Sequence, residues 1–160
     1  MTAVVPTDLQ PVEPGYRGAL MLGAAIFFIP LMIGAAVIYR FVLIDFAWAP
    51  LLPLAVFLFG FSSVVYAPKR IYNRLGYALD DKLLRVVRGW LFHTDTVVPF
   101  VRVQHIDVTS GPVDKIFGLA SLIVHTAGTH NSVVTLPGLS PTRAREIRDA
   151  IRAEIRADAE

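Results

Sequence analysis

Two long runs without a charge dominate the first half of the chain. Ala19–Tyr39 ("ALMLGAAIFFIPLMIGAAVIY") and Phe46–Tyr66 ("FAWAPLLPLAVFLFGFSSVVY") each hold 21 residues. As helices they rise about 31 Å, the thickness of a bilayer's hydrocarbon core. Neither run has a polar face, which disfavours a pair of buried core helices. Tyr16, Tyr39, Trp48 and Tyr66 lie near the ends, where amphipathic rings prefer the headgroup layer. Pro30, Pro50 and Pro53 interrupt the runs. Membrane helices tolerate proline because neighbours satisfy the freed carbonyls, and Pro50 and Pro53 also suit first turns. The short connection Arg40–Asp45 predicts a tight antiparallel hairpin with both chain ends on one side. Residues 1–17 then form an N-terminal tail, 18–67 the hairpin and 68–160 a separate domain.

Past Pro68 the pattern shortens. "IYNRLGYALD" reads as a strand ending at the turn pair Asp80-Asp81, and Arg88-Gly89 marks a hairpin turn inside "KLLRVVRGWLFHTDTVVPF". "VRVQHIDVTS", "ASLIVHTAG" and "SVVTL" are further strand candidates, the last two separated by the polar turn "GTHNS". Ser140-Pro141 suits an N-cap and first helical position. From there Ala144, Ile147, Ile151 and Ile155 recur at helical spacing, opposite a charged face rich in arginine. Short antiparallel strands followed by one amphipathic helix predict a small barrel or bent sheet plugged by that helix.

Composition sharpens this division. The chain is 54% apolar and 18% charged, against about 45–50% and about 25% for ordinary soluble chains. Between Gly18 and Tyr66 the only charges are Arg40 and Asp45, whereas 13 of the 15 basic residues follow Pro68. Arg17, Lys69, Arg70 and Arg74 flank the hairpin on the side of the termini, and only Arg40 lies in the loop. The positive-inside rule therefore places both termini in the cytoplasm. The first run is too long for a signal peptide's apolar core, and only Arg17 stands near it as a basic flank. No ionisable residue sits mid-span, which argues against a proton relay or transporter core. Ser62 and Ser63 read as helix-packing serines that bond back to their own helix. Cysteine is absent, so no disulfide framework or thiolate metal site exists. The net charge of +2 and the lack of a dense basic run speak against nucleic acid as a partner.

The stretch "RVQHIDVTSGPVDKIFGLA" is the densest in polar residues. His105 and Asp107 would share a strand face, but Ser110 joins them only if the chain bends. No glycine-flanked serine elbow accompanies them. The four histidines, His93, His105, His125 and His130, form no close metal-binding pair. No phosphate-binding glycine loop is present. The reading is thus no catalytic, metal or cofactor residues and no cofactor. The structural account is sharper. Val101 and Val103 have one parity, Ile106 and Val108 the other, so a strand needs a break at Gln104-His105. A β-bulge there restores the inward face, with Gln104 free to bond exposed backbone groups. Gly111-Pro112 ends the strand, and Val113, Ile116 and Phe117 suit a short helical turn with Asp114 and Lys115 exposed. Because bulges favour functional edges, Arg102, Gln104, His105 and Lys115 form the candidate partner surface. Lys69, Arg70 and Arg74 are candidates for lipid headgroup contact, each contributing about 1 kcal/mol near an anionic surface.

"RLGYALDDKLLRVVRGWLF", "VPFVRVQHIDVTSGPVDKIFGLASLIVHTAG" and "LPGLSPTRAREIRDAI" resemble the bacterial pleckstrin-homology-like (PH-like) membrane proteins of the YdbS type. The ordered set "RVQ", "GP", "FGLA" and "TAG" carries the resemblance across Arg74–Ile151. It implies a membrane α-helical hairpin plus a mostly β, α+β domain, in which a PH-like barrel of short antiparallel strands is capped by a C-terminal α-helix. It also implies a bacterial membrane protein facing the cytoplasm and no enzyme. Eukaryotic PH domains that bind phosphoinositides commonly carry basic residues around the first hairpin turn. Here Asp80-Asp81 occupies that turn and repels phosphate. The leading expectation is a non-enzymatic adaptor that binds another membrane protein or a like subunit beside the bilayer. Anionic lipid headgroup binding is the alternative, and a hydrolase using His105 and Asp107 is a remote one.

Overall fold

The computed structural model describes residues 9–43, 45–90, 92–127 and 133–157. Two long helices, α1 (Gly15–Ile38) and α2 (Leu51–Asn73), lie against each other. Gly60 of α2 makes room for Phe28, whose ring also meets Phe59 at 5.8 Å. Both helices are long and apolar enough to cross a membrane, with only 6% and 11% of their most apolar windows buried. That exposure separates them from the core helices of a soluble protein, whose apolar faces are covered. The connection is longer than Arg40–Asp45. A π-helical turn spans Tyr39–Leu43 and turns and a bend occupy 45–50, so α2 starts at Leu51.

At its other end α2 runs through Pro68 to Asn73, where the sequence pattern suggests a strand. Tertiary packing decides the outcome. Pro68 is buried, Tyr72 packs on the barrel core, and its hydroxyl donates to the Val12 carbonyl at 3.3 Å. The first long strand therefore begins only at Gly76.

The domain holds two antiparallel sheets. One is ordered β1-β2-β3-β4, from Gln10–Pro11, Gly76–Leu79, Leu83–Arg88 and Thr94–Pro99. The other is β5-β6-β7, from Val103–Thr109, Ala120–Thr126 and Val133–Leu139. The Asp80 turn joins β2 to β3, and β3 ends at Arg88, as the turn residues suggest. The turn 128–132 lies outside the described residues. A short helix α3 (Pro112–Ile116) separates β5 from β6, and α4 (Pro141–Ala157) follows β7.

Leu84 and Val86 of β3, Leu122 and Val124 of β6, and Leu136 of β7 face one core with Ile147 and Ile151 of α4. All seven are fully buried, which makes α4 the plug of the barrel. Its start is fixed as the sequence implies: the Arg143 amide donates to Ser140 Oγ at 3.3 Å. Arg143 then ties α4 to the first sheet, donating to the Tyr77 hydroxyl (3.2 Å) and to Gln10 Oε1 (3.1 Å).

The expected tail is different. Gln10 and Pro11 pair with Tyr77 and Gly76, and Val12 is buried in the core. The Glu13 amide donates to the Gly138 carbonyl of β7 at 2.8 Å. Residues 10–13 thus stitch the two sheets together immediately before α1. Gly138 has φ +75° at a register shift where β7 carries one more residue than β6. The ring of Tyr16, at the start of α1, lies on it so closely that a Cβ would sit 2.6 Å from Tyr16 Cγ.

Candidate functional site

The break in β5 falls where parity places it. Val103 pairs with Thr126 and His105 with His125, leaving Gln104 as the extra residue of a bulge. Ile106 is buried and Val103 packs against the core. Val101 does not share their face. It lies in a 3-10 turn, Phe100–Arg102, that buries Phe100 and leaves Val101 79% exposed.

Arg102, Gln104 and His105 are exposed together around this bulge. Gln104 and His105 line a groove of about 270 Å³ with Arg152 and Ile155 of α4. Lys115 is exposed too, but it belongs to α3, beyond the far end of β5 and against α1. The structure therefore brings together three of the four candidate partner residues.

Cross-strand pairing gathers a cluster that spacing hides. Asp107 Oδ1 stands 2.8 Å from His105 Nε2, and Asp107 Oδ2 stands 3.5 Å from His125 Nε2. The imidazole centroids are 5.8 Å apart. The only signal in the sequence was the bulge, which sets the register that places His125 opposite His105. Ser110 does not complete a relay, because its hydroxyl donates to the Leu119 carbonyl at 2.9 Å and closes the α3 loop. His105 and Asp107 are 63% and 44% exposed, an open position without the enclosure a triad needs. Among the described residues no three His, Asp or Glu side chains are disposed to hold a metal ion. His130 lies outside them.

The three basic candidates at the end of α2 separate as well. Lys69 and Arg70 are exposed and have no protein partner among the described residues. Arg74 is committed: its Nη1 donates to the Trp90 carbonyl at 3.0 Å and holds the β3–β4 connection beside α2. Trp90 and Phe92 on that connection are exposed. Their part in the surface was missed because only the fold sets them next to the helix.

The outer strand β4 pairs with β3 and forms the edge of its sheet. Asp95 on β4 accepts a bidentate contact from Arg85, with Nη2–Oδ2 at 2.6 Å and Nε–Oδ1 at 3.0 Å. That hydrogen bonding, and secondarily the guanidinium charge, holds the Asp95 carboxyl below the usual aspartate range. A crevice of about 340 Å³ runs along β4, bordered by Arg102, Thr126 and Val134.

The family model for the bacterial PH domain matches residues 14–155. The chain belongs to the bacterial PH domain family. This bacterial PH domain protein is also 32% identical over 98 residues to the UPF0699 transmembrane protein YdbS of Bacillus subtilis (strain 168). The match covers 61% of this chain and 60% of that protein, so the chain spans less than two thirds of its relative's length. No solved structure matches. The relative's transmembrane character and the two exposed apolar helices identify a membrane protein of the YdbS type with a PH-like domain.

Proposed function

We propose that this protein is a membrane-anchored, non-enzymatic adaptor whose PH-like domain takes a strand of another membrane protein or of a second copy. The observation that carries the reading is the edge of β4, which has no strand partner on the side away from β3 among the described residues. Thr94–Pro99 offers backbone donors and acceptors on the side away from β3. Val97 and Val101 are exposed beside it, and Phe92 precedes it at 83% exposure. An edge strand flanked by apolar side chains supports strand addition, in which main-chain bonds give affinity and side-chain pockets give selectivity. Arg102 borders the same crevice, whereas Gln104 and His105 line the separate groove against α4. Lys115 falls outside it.

In this reading α1 and α2 both cross the cytoplasmic membrane, the termini face the cytoplasm, and the barrel sits on the inner leaflet. A photo-crosslinker at Val97 should yield one defined adduct with a membrane protein or with a second copy. Val101→Asp should weaken that adduct, and a crosslinker at Arg145 on the exposed side of α4 should not form it. Recovery of uncrosslinked monomer alone under gentle detergent sinks the proposal. A reporter active only outside the cytoplasm, fused to the C-terminus, should stay silent.

A second reading, looser contact with anionic headgroups, is supported by Lys69 and Arg70, which stand exposed without a protein partner among the described residues. It predicts enrichment of anionic lipid around the reconstituted chain that falls with salt and with Lys69→Ala. Enrichment insensitive to both removes it.

A further inference from the structure

A groove of about 410 Å³ lies between the end of α2 and the β3–β4 connection. Phe59, Ser62, Ser63, Tyr66 and Arg70 line it from α2, and Trp90 closes it from the domain. On the helix these residues recur at three- and four-residue steps, so they form one stripe. From Phe59 to Arg70 the stripe rises about 16 Å. It passes from apolar ring through hydroxyls and phenol to guanidinium. The indole wall is held in place by the bond from Arg74 to the Trp90 carbonyl.

Two features of the stripe are costly in hydrocarbon unless something meets them. Ser62 is exposed and Ser63 half-buried, and neither hydroxyl has a protein partner among the described residues. The expected bond back to their own helix is not made. A hydroxyl facing lipid tails without an acceptor is unfavourable. Arg70, two turns nearer the headgroups, is likewise without a counter-ion among the described residues. Helical side chains lean toward the helix N-terminus, so its guanidinium covers the groove below it.

We propose that this groove holds one glycerophospholipid, with its phosphate on Arg70. Its glycerol crosses the Tyr66 phenol beside the Trp90 indole, its ester carbonyls accept from Ser62 and Ser63, and its first acyl methylenes lie on Phe59. A glycerophospholipid presents anion, ester and hydrocarbon in the order in which the stripe presents cation, hydroxyl and ring. A protein helix seated there has its backbone carbonyls used internally, so it would need a carboxylate and a hydroxyl or amide at matching spacing to meet the same groups. The inference deepens the lipid reading of α2 from diffuse attraction to a single retained molecule. It does not need the adaptor reading.

Native mass spectrometry of the full chain in mild detergent, with phosphatidylglycerol and phosphatidylethanolamine supplied as probes, tests it. The wild type should retain one lipid. Arg70→Ala and the double variant Ser62→Val/Ser63→Val should each lower retention about tenfold, the scale of one charge-assisted or two neutral hydrogen bonds. Lys69→Ala and added salt should leave the retained lipid in place even where they abolish diffuse anionic enrichment, so the two lipid readings fail separately. A second measurement guards against misfolded variants. The chain has two tryptophans, so Trp48→Phe leaves Trp90 as the reporter. In nanodiscs its quenching by acyl-brominated phospholipid should saturate at low mole fraction, and Arg70→Ala should shift that curve toward the linear dependence of bulk lipid. A wild type without a retained lipid, equal retention in all variants, or quenching linear from the outset overturns the proposal. So does a second protein chain crosslinked into the groove through Trp90.

Discussion

Gly138→Ala should detach the start of the first apolar helix from the barrel, and its cost can be worked from two independent terms. The first is conformational. Gly138 has φ +75°, a region that costs an L-residue roughly 1–2 kcal/mol. The second is steric. The new methyl would lie 2.6 Å from Tyr16 Cγ and 2.9 Å from Tyr16 Cβ. Cβ is fixed to the backbone, so rotating the tyrosine ring cannot relieve the overlap. α1 itself must shift, and overpacking of this kind costs about 1–3 kcal/mol. The sum is roughly 2–5 kcal/mol, which for a domain of this size lowers the melting midpoint by about 10 °C or more. Thermal unfolding of the solubilised chain at fixed scan rate, followed by tryptophan emission, reads it. The diagnostic step is a double variant: with Tyr16→Gly already present, which removes both Cβ and Cγ, Gly138→Ala should cost only the conformational term, about 1–2 kcal/mol. Gly18→Ala is the contrast. Its methyl would meet the Phe117 ring edge at 2.5 Å, but that partly exposed ring can swing away, so the loss should stay below about 1 kcal/mol. A Gly138→Ala protein melting within about 3 °C of the wild type, or undiminished cost in the Tyr16→Gly background, refutes the reasoning.

Two other predictions concern the barrel. Ser140→Ala removes the acceptor for the Arg143 amide and should cost about 1 kcal/mol in the same melt, whereas Ser140→Asn should recover most of it. Asp95→Asn should cost under about 1 kcal/mol at pH 7, because the Arg85 pair is partly exposed to solvent. The carboxyl's value is depressed on folding, so the pair's contribution is present above the ordinary aspartate value of about 3.9. It is lost as pH falls through the lower folded value. The stabilities of wild type and variant should therefore converge on acidification; a difference that widens contradicts the ion-pair account.

Local patterns were the legible part. The face Ala144, Ile147, Ile151 is written in a single helical period, and its burial followed. The bulge at Gln104 could be deduced from the parity of flanking valines and isoleucines, because side-chain period two leaves no other way to bury Val103 and Ile106 together. What escaped depends on distant partners. Val12 reads as part of a proline-punctuated tail, and only β2 makes a strand of its neighbours. Pro68 signals a helix end, yet burial of Pro68 and Tyr72 against the barrel carries the helix on to Asn73. Arg74 looks like one more basic residue at the bilayer until the fold hands it the Trp90 carbonyl. His125 becomes a neighbour of Asp107 only through the β5–β6 register.

The stitching of residues 10–13 between β2 and β7 bears on biogenesis. This segment leaves the ribosome before either apolar helix, yet its partners, Gly76, Tyr77 and Gly138, follow only after both helices have been made. With the two helices across the bilayer, the early strand and its late partners end on the same side, and the barrel can close. If one helix fails to insert, they are stranded on opposite sides, and the core lacks Val12 and the sheet-to-sheet bond. In the proposed two-span topology, completion of the domain would thus report on correct insertion, since a chain with one helix outside the bilayer could not close its barrel.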